Sequence, residues 1–260
     1  MDIRSVKFRV RHEWRVGGLY SPSRAGRVPA VLMLHGFPGL QQNEDIAAEL
    51  CRRGMAVFMP HFGGCWGSSG RFSLHGLLQD SHAALRLLSR YRHVDAGRVG
   101  VLGFSLGGWV ALRLASRVPV AAVAAMAPAL PRENEPADAV YLRRNGKVVN
   151  IPRADAVWRE YVRTAHADHP DAYVRNIAPA PVLFVQGLKD RLVPPGTSAK
   201  LYALAGEPKD LIELPGEDHE FLNDRPAVIA AVCGWLQDRL VREREAEEAQ
   251  PELVDIGGGD

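Results

Sequence analysis

Long apolar runs are missing from this 260-residue chain. No window approaches the roughly 18 apolar residues of a membrane-spanning helix. The start, Met1-Asp2-Ile3-Arg4-Ser5, has no apolar stretch of signal-peptide length. Cysteine is scarce: Cys51, Cys65 and Cys233 are far apart and odd in number. That excludes a disulfide frame and points to reduced thiols in a cytoplasmic protein. An excess of one charge is lacking too, with 32 Lys and Arg against 30 Asp and Glu. There is therefore no general basic field to argue for nucleic acid or a membrane surface as a partner. No Cys/His cluster has zinc spacing; His166 and His169 lie in a polar stretch and read as solvent-facing. No metal or other cofactor is expected, and no internal repeat is visible. What remains is a chain 47% hydrophobic and 24% charged, enough for one globular domain with a sizeable core.

Short apolar runs recur through that chain. Residues 6–10 alternate with period two, and 14–20 can pair with them as an antiparallel edge. Runs at 30–34, 56–59, 98–103, 120–126, 181–185 and 210–214 read as strands. Between them, 44–53, the leucines from Leu74 to Leu88, the residues after Ser105, 196–205 and 225–241 read as helices. Apolar strands alternating with helices predict an α/β fold, a mostly parallel sheet covered on both faces. The alternation breaks at 129–178, a polar stretch with a hairpin signal at Asn145-Gly146 and helix-like Trp158, Tyr161 and Val162. It reads as a small cap inserted into a core formed by 1–128 and 179–241; a long surface excursion without a binding role is the alternative. The tail 242–260 is charged, ends in glycines and is expected to be disordered.

The pentad Gly103-Phe104-Ser105-Leu106-Gly107 joins the run Val99-Gly100-Val101-Leu102 to a helix-like segment. A G-x-S-x-G between strand and helix marks a nucleophile elbow, in which small flanking residues let the chain turn tightly and push the hydroxyl out above the sheet. A serine hydroxyl needs a base, and the base an orienting carboxylate. Asp190 follows the strand at 181–185 and His219 the strand at 210–214, so acid and base come after the nucleophile in the order this architecture requires. Asp218 is a poor orienter, since neighbouring side chains in an extended loop point apart; a cap on the following helix suits it better. Asp224 is another loop candidate. His35, at the end of an inner strand, reads as structural. An oxyanion needs two donors: the N–H of Leu106 at the helix start, and one from His35-Gly36-Phe37-Pro38-Gly39, where Phe37 is the choice because Pro38 has no N–H.

These motifs, spread from about residue 5 to about 240, resemble the α/β-hydrolase family. The resemblance implies the α/β-hydrolase fold and acyl-enzyme chemistry. Ser105 would attack the carbonyl, His219 shuttle the proton and Asp190 hold the imidazole, with Phe37 and Leu106 binding the oxyanion. A serine nucleophile sets the chain apart from dienelactone hydrolases, which carry cysteine, and from epoxide hydrolases and dehalogenases, which carry aspartate. The inserted segment resembles the cap of bacterial cinnamoyl esterases, and the acid loop is similar to that of acylaminoacyl and prolyl peptidases, whose propeller is absent. The chain departs from many relatives after the strand at 56–59. Where they have an Asp and an Arg, it has Pro60-His61-Phe62-Gly63-Gly64-Cys65-Trp66, so the loop's polar contacts must come from elsewhere.

The leading expectation is a serine esterase acting on small-molecule carboxylic esters with small to medium acyl or aryl groups. Trp158, Tyr161, Tyr141 and Phe37 would line the pocket, although the spacing of Trp158 and Tyr161 fits plain packing equally well. A peptidase or amidase using the same triad is the second reading, and a single-turnover or non-catalytic receptor the third. A homodimer is compatible with all three.

Overall fold

The computed structural model describes residues 1–37, 42–129, 149–151 and 154–242. Pro38, Tyr141, the Asn145-Gly146 hairpin and the tail beyond Arg242 lie outside the described residues. Eight strands form one sheet in the order β1-β2-β4-β3-β5-β6-β7-β8. They are β1 (Asp2–Val10), β2 (Glu13–Ser21), β3 (Val28–Leu34), β4 (Ala56–Pro60), β5 (Val94–Phe104), β6 (Ala122–Met126), β7 (Val182–Gly187) and β8 (Lys209–Leu214). The β1–β2 hairpin and its junction with β4 are antiparallel; every other pairing is parallel.

The helices are α1 (Glu44–Arg52), α2 (Leu74–Ser89), α3 (Leu106–Ala115), α4 (Ala154–Ala167), α5 (Gly196–Leu204) and α6 (Arg225–Gln237), followed by a π-helical turn over Asp238–Arg242. Alternate strand residues feed two cores. Ala30, Leu32 and Leu34 of β3 meet α2 and α3 on one face, while Val31 and Met33 meet α1 and α6 on the other. A strand buried on both faces must be apolar throughout, which is why β3 reads as a continuous apolar run. Side-chain oxygens start two of the helices: Ser73 accepts the Gly76 N–H, and Asp224 accepts the Ala227 N–H. Asp224, not Asp218, therefore caps the helix after the His219 loop. Asp218 instead accepts the Glu220 N–H two residues on, closing a local turn.

β5 begins at Val94, four residues before the apolar run at 98–103. Asp95, Ala96 and Gly97 hide that beginning, because pairing with β3 slips between Val28 and Ala30 and these three residues fall in the irregularity. α4 carries Trp158 and Tyr161 on one helix, and Tyr161 packs half-buried against the α2/α3 core.

Candidate active site

The C-terminal ends of β5, β7 and β8 bring Ser105, Asp190 and His219 together. Ser105 sits between β5 and α3 at φ 53°, ψ −121°, a backbone region that L-residues rarely hold without surrounding constraint. The constraint is visible. The Ser105 N–H donates to Met126 O (2.8 Å), and Ser105 O accepts from Gly108, Trp109 and Ala129. Neither glycine of the pentad tolerates a side chain. A Cβ on Gly103 would lie 2.1 Å from Gly107 O, and one on Gly107 2.2 Å from Leu34 O.

His219 Nε2 lies 3.0 Å from Ser105 Oγ, and its Nδ1 lies 2.7 Å from Asp190 Oδ2. Beside a carboxylate, Nδ1 carries the proton, which leaves Nε2 as the acceptor for the serine hydroxyl. Asp190 is buried, and burial alone would push its carboxyl up. Hydrogen bonds from His219 and from the N–H groups of Val193 (2.7 Å) and Leu192 (2.8 Å) outweigh that and hold it below its ordinary value. The carboxylate stays ionised and stays aimed.

Two supports have no signal in the motifs. Gln186, fully buried at the end of β7, reaches Asp190 Oδ2 and Val193 O (both 3.3 Å) and accepts from Ser198 Oγ (2.7 Å). Buried Glu217 accepts the N–H groups of Asn223 and Asp224, while its own carbonyl accepts from Lys189. The loops carrying Asp190 and His219 and the start of α6 are thereby tied to one another. A polar residue closing an otherwise apolar strand was the only sequence cue to Gln186.

His35 is structural, as read, and buried. Its Nδ1–H donates to Gly36 O (2.7 Å), and its Nε2 accepts the Phe62 N–H (3.2 Å). The Gly36–Phe37 peptide is trans, so fixing Gly36 O turns the Phe37 N–H away from His35. A Cβ on Gly36 would lie 3.1 Å from Ser105 Cβ, which measures how closely this loop approaches the serine. Burial drives the His35 pKa down from 6.5 to about 3. Unfolded His35 takes a proton near 6.5 and native His35 only near 3, so its contribution is complete above pH 6.5 and is lost as pH falls towards 3. His35→Asn is accordingly expected to lose less stability than the native chain between about pH 7 and about pH 4.5. Urea midpoints at the two pH values measure the difference.

The loop after β4 obtains its polar contacts from neighbouring elements. Arg15 of β2 donates from Nε to Asp80 Oδ1 of α2 (2.8 Å), from Nη1 to Ser69 O and from Nη2 to Glu13. Asp80 Oδ2 accepts the Gly63 N–H (2.7 Å). A Cβ on Gly63 would lie 2.7 Å from Arg15 Nη2, so the guanidinium occupies the space that a side chain there would need. Trp66 folds inward, its ring 4.5 Å from that of His35, and Phe37 stacks edge-on to Phe72 at 5.2 Å. Arg15→Met strands the Asp80 carboxylate in the core and is expected to cost about 3 kcal/mol or more. A urea titration at neutral pH checks this; a loss under about 1 kcal/mol contradicts it.

Among the described residues no cluster of His, Cys, Asp and Glu could hold a metal ion, and no helix is long and apolar enough to cross a membrane. A doubly wound sheet with a strained serine elbow after its fifth strand, and loops carrying Asp190 and His219 after its last two, is the arrangement of the α/β-hydrolase class. The chain belongs to the alpha/beta hydrolase family, whose model matches residues 31–232. An uncharacterized protein of Mycobacterium tuberculosis, Rv2307c, is 32% identical over 243 residues, covering 92% of this chain and 80% of the relative. Among solved structures, the alpha/beta hydrolase GrgF from Penicillium sp. sh18 superposes with a TM-score of 0.76 at 20% identity, covering 92% of this chain and 99% of that one. Est1E from Butyrivibrio proteoclasticus with ferulic acid bound gives 0.74 at 19%, covering 90% and 98%.

Proposed function

We propose that this hydrolase is a serine carboxylic-ester hydrolase acting on small to medium acyl or aryl esters. The observation that carries the reading is the unbroken chain from Ser105 Oγ to His219 Nε2 (3.0 Å) and from His219 Nδ1 to Asp190 Oδ2 (2.7 Å). In the proposed cycle, His219 Nε2 takes the hydroxyl proton as Ser105 Oγ attacks the ester carbonyl. The oxyanion is held by the N–H of Leu106, which as the first residue of α3 has no intrahelical acceptor, and by that of Phe37. The imidazolium then returns its proton to the leaving alkoxide, and an acyl-serine remains. Water, deprotonated by His219, attacks the acyl-serine; the acid leaves and the serine regains its proton. Asp190 stays ionised throughout and stabilises the imidazolium.

Residues 129–178 supply the cap in this reading, and Tyr161 of α4 is the described candidate for contact with substrate; Tyr141 and the Trp158 side chain lie outside the described residues. Leu188, Leu192 and Leu222 are exposed within a few residues of Asp190 or His219, apolar surface that suits an apolar acyl or aryl group. Est1E, solved with ferulic acid bound, supports an aryl ester as one candidate. A panel of p-nitrophenyl acyl esters, methyl ferulate and aminoacyl p-nitroanilides tests the assignment. Turnover of esters with little or none of the anilides is expected. Preferential anilide turnover makes the protein a peptidase, and turnover of none favours a binding role or a very narrow substrate.

A further inference from the structure

The Gly36–Phe37 peptide is held at both ends. Gly36 O accepts from His35 Nδ1, and the Phe37 ring packs edge-on to that of Phe72 at 5.2 Å. Both holds trace to the loop after β4. His35 Nε2 accepts the N–H of Phe62 at one end of that loop, and buried Phe72 stands at the other. A second segment ties the loop together. Val149, Asn150 and Ile151, just before α4 in the chain, lie across it. Val149 pairs with Cys65 in an antiparallel bridge, Gly64 O accepts the Asn150 N–H (2.6 Å), and Asn150 O accepts the Phe72 N–H (3.0 Å). The Asn150 side chain adds a bond from Nδ2 to Gly70 O (2.9 Å). The crossing is tight: Gly64 has φ 77°, and a Cβ there would lie 2.7 Å from Phe72 N and 3.1 Å from Asn150 O. α4 then meets the start of α2, where Glu160 Oε1 accepts the His75 N–H (2.9 Å), and buries Val157.

We propose that Asn150 is a positioning residue for the oxyanion donor Phe37 and acts through Phe72. The inference rests on the reading of Phe37 as a donor in ester hydrolysis. The Phe72 N–H bonded to Asn150 O fixes the Phe72 backbone, and with it the place of the ring. The Phe37 ring rests on that ring, so the Phe37 Cα and the N–H beside it follow. His35 sets the plane of the Gly36–Phe37 peptide, and Phe72 sets where that plane lies relative to Ser105. An oxyanion donor is effective only when its N–H meets the oxygen at about 2.7–3.1 Å. A small shift of the amide is therefore felt in the transition state more than in substrate binding. The chain leading into α4 thus seats the donor as well as supplying a wall for substrate.

Asn150→Ala, Phe72→Leu and the double variant test this with a p-nitrophenyl ester and with phenylboronic acid, whose adduct on a serine carries a tetrahedral oxygen anion. Removing an oxyanion donor outright lowers kcat by about 10²–10³. Loosening one is expected to lower it about fivefold in Asn150→Ala and about tenfold or more in Phe72→Leu, with KM within about twofold in both. Boronate affinity should fall by the same factors as kcat, which a merely structural role would not produce while KM holds. The double variant should match Phe72→Leu within about twofold, because both changes act along one path. Asn150 is exposed, so Asn150→Ala is expected to keep the thermal midpoint, and it decides the matter alone if Phe72→Leu does not fold. An effect on KM only, single effects that multiply in the double variant, or native kcat and boronate affinity in both single variants overturns the inference and leaves the ester reading standing. A native chain that turns over no ester and takes up no boronate removes the ester reading, and this inference with it.

Discussion

Ser105→Ala is expected to lower kcat for any ester the protein turns over by about four orders of magnitude or more while leaving the fold intact. In the proposed mechanism nucleophile, base and orienting acid act as one unit, so with Oγ gone His219 has no proton to take. Stability should move little, since the side chain lost is small and among the described residues its hydroxyl makes one hydrogen bond, to His219. Ser105→Gly sharpens the prediction. It should be equally inactive, yet more stable than Ser105→Ala by about 1 kcal/mol, because glycine holds the positive φ of the elbow without strain. Steady-state rates and urea midpoints on the two variants separate catalytic loss from backbone strain. An active Ser105→Ala would remove the serine from the mechanism.

Gly107→Ala should produce the largest loss of stability, about 3 kcal/mol or more, or a chain that fails to fold. The added methyl would meet Leu34 O at 2.2 Å, His35 O at 2.4 Å and Leu34 C at 2.7 Å. All three are backbone atoms, and Leu34 is fixed by its pairing with Gly103 in the middle of the sheet. No side chain can swing aside, so either α3 moves off the sheet or the end of β3 moves, carrying the His35-Gly36-Phe37 loop with it. Gly216→Ala is the control: a Cβ there meets nothing within 4 Å, and its effect should stay within about 0.5 kcal/mol. If the two variants unfold at the same urea concentration, the packing of the elbow is not as described.

The fold was legible because inner strands such as β3 and β4 are buried on both faces and read as apolar runs, while α1 and α2 each show one apolar face. The strand count and the parallel arrangement followed from that pattern. The Ser105, Asp190 and His219 positions were legible for a different reason: each stands directly after a strand, so the sheet's register, more than any local feature, brings them to one edge. What stayed hidden was long-range polar contact. Arg15 and Asp80 are 65 residues apart, and neither carries a motif. Read alone, Arg15 is an ordinary strand arginine and Asp80 an interruption in the apolar face of α2; only the folded chain shows that they hold the loop after β4. Asp218 misled for a related reason. Proximity to a helix start suggested a cap, but the chain turns once more through Phe221, at φ 54°, and Asp224 arrives at the capping position instead.

Intact-mass analysis after reaction with a fluorophosphonate probe, followed by peptide mapping, tests the central claim most directly. The account predicts one adduct per chain, on the peptide bearing Ser105, formed rapidly at neutral pH and absent from Ser105→Ala. No adduct on the native chain, or an adduct at another residue that persists in Ser105→Ala, would contradict it.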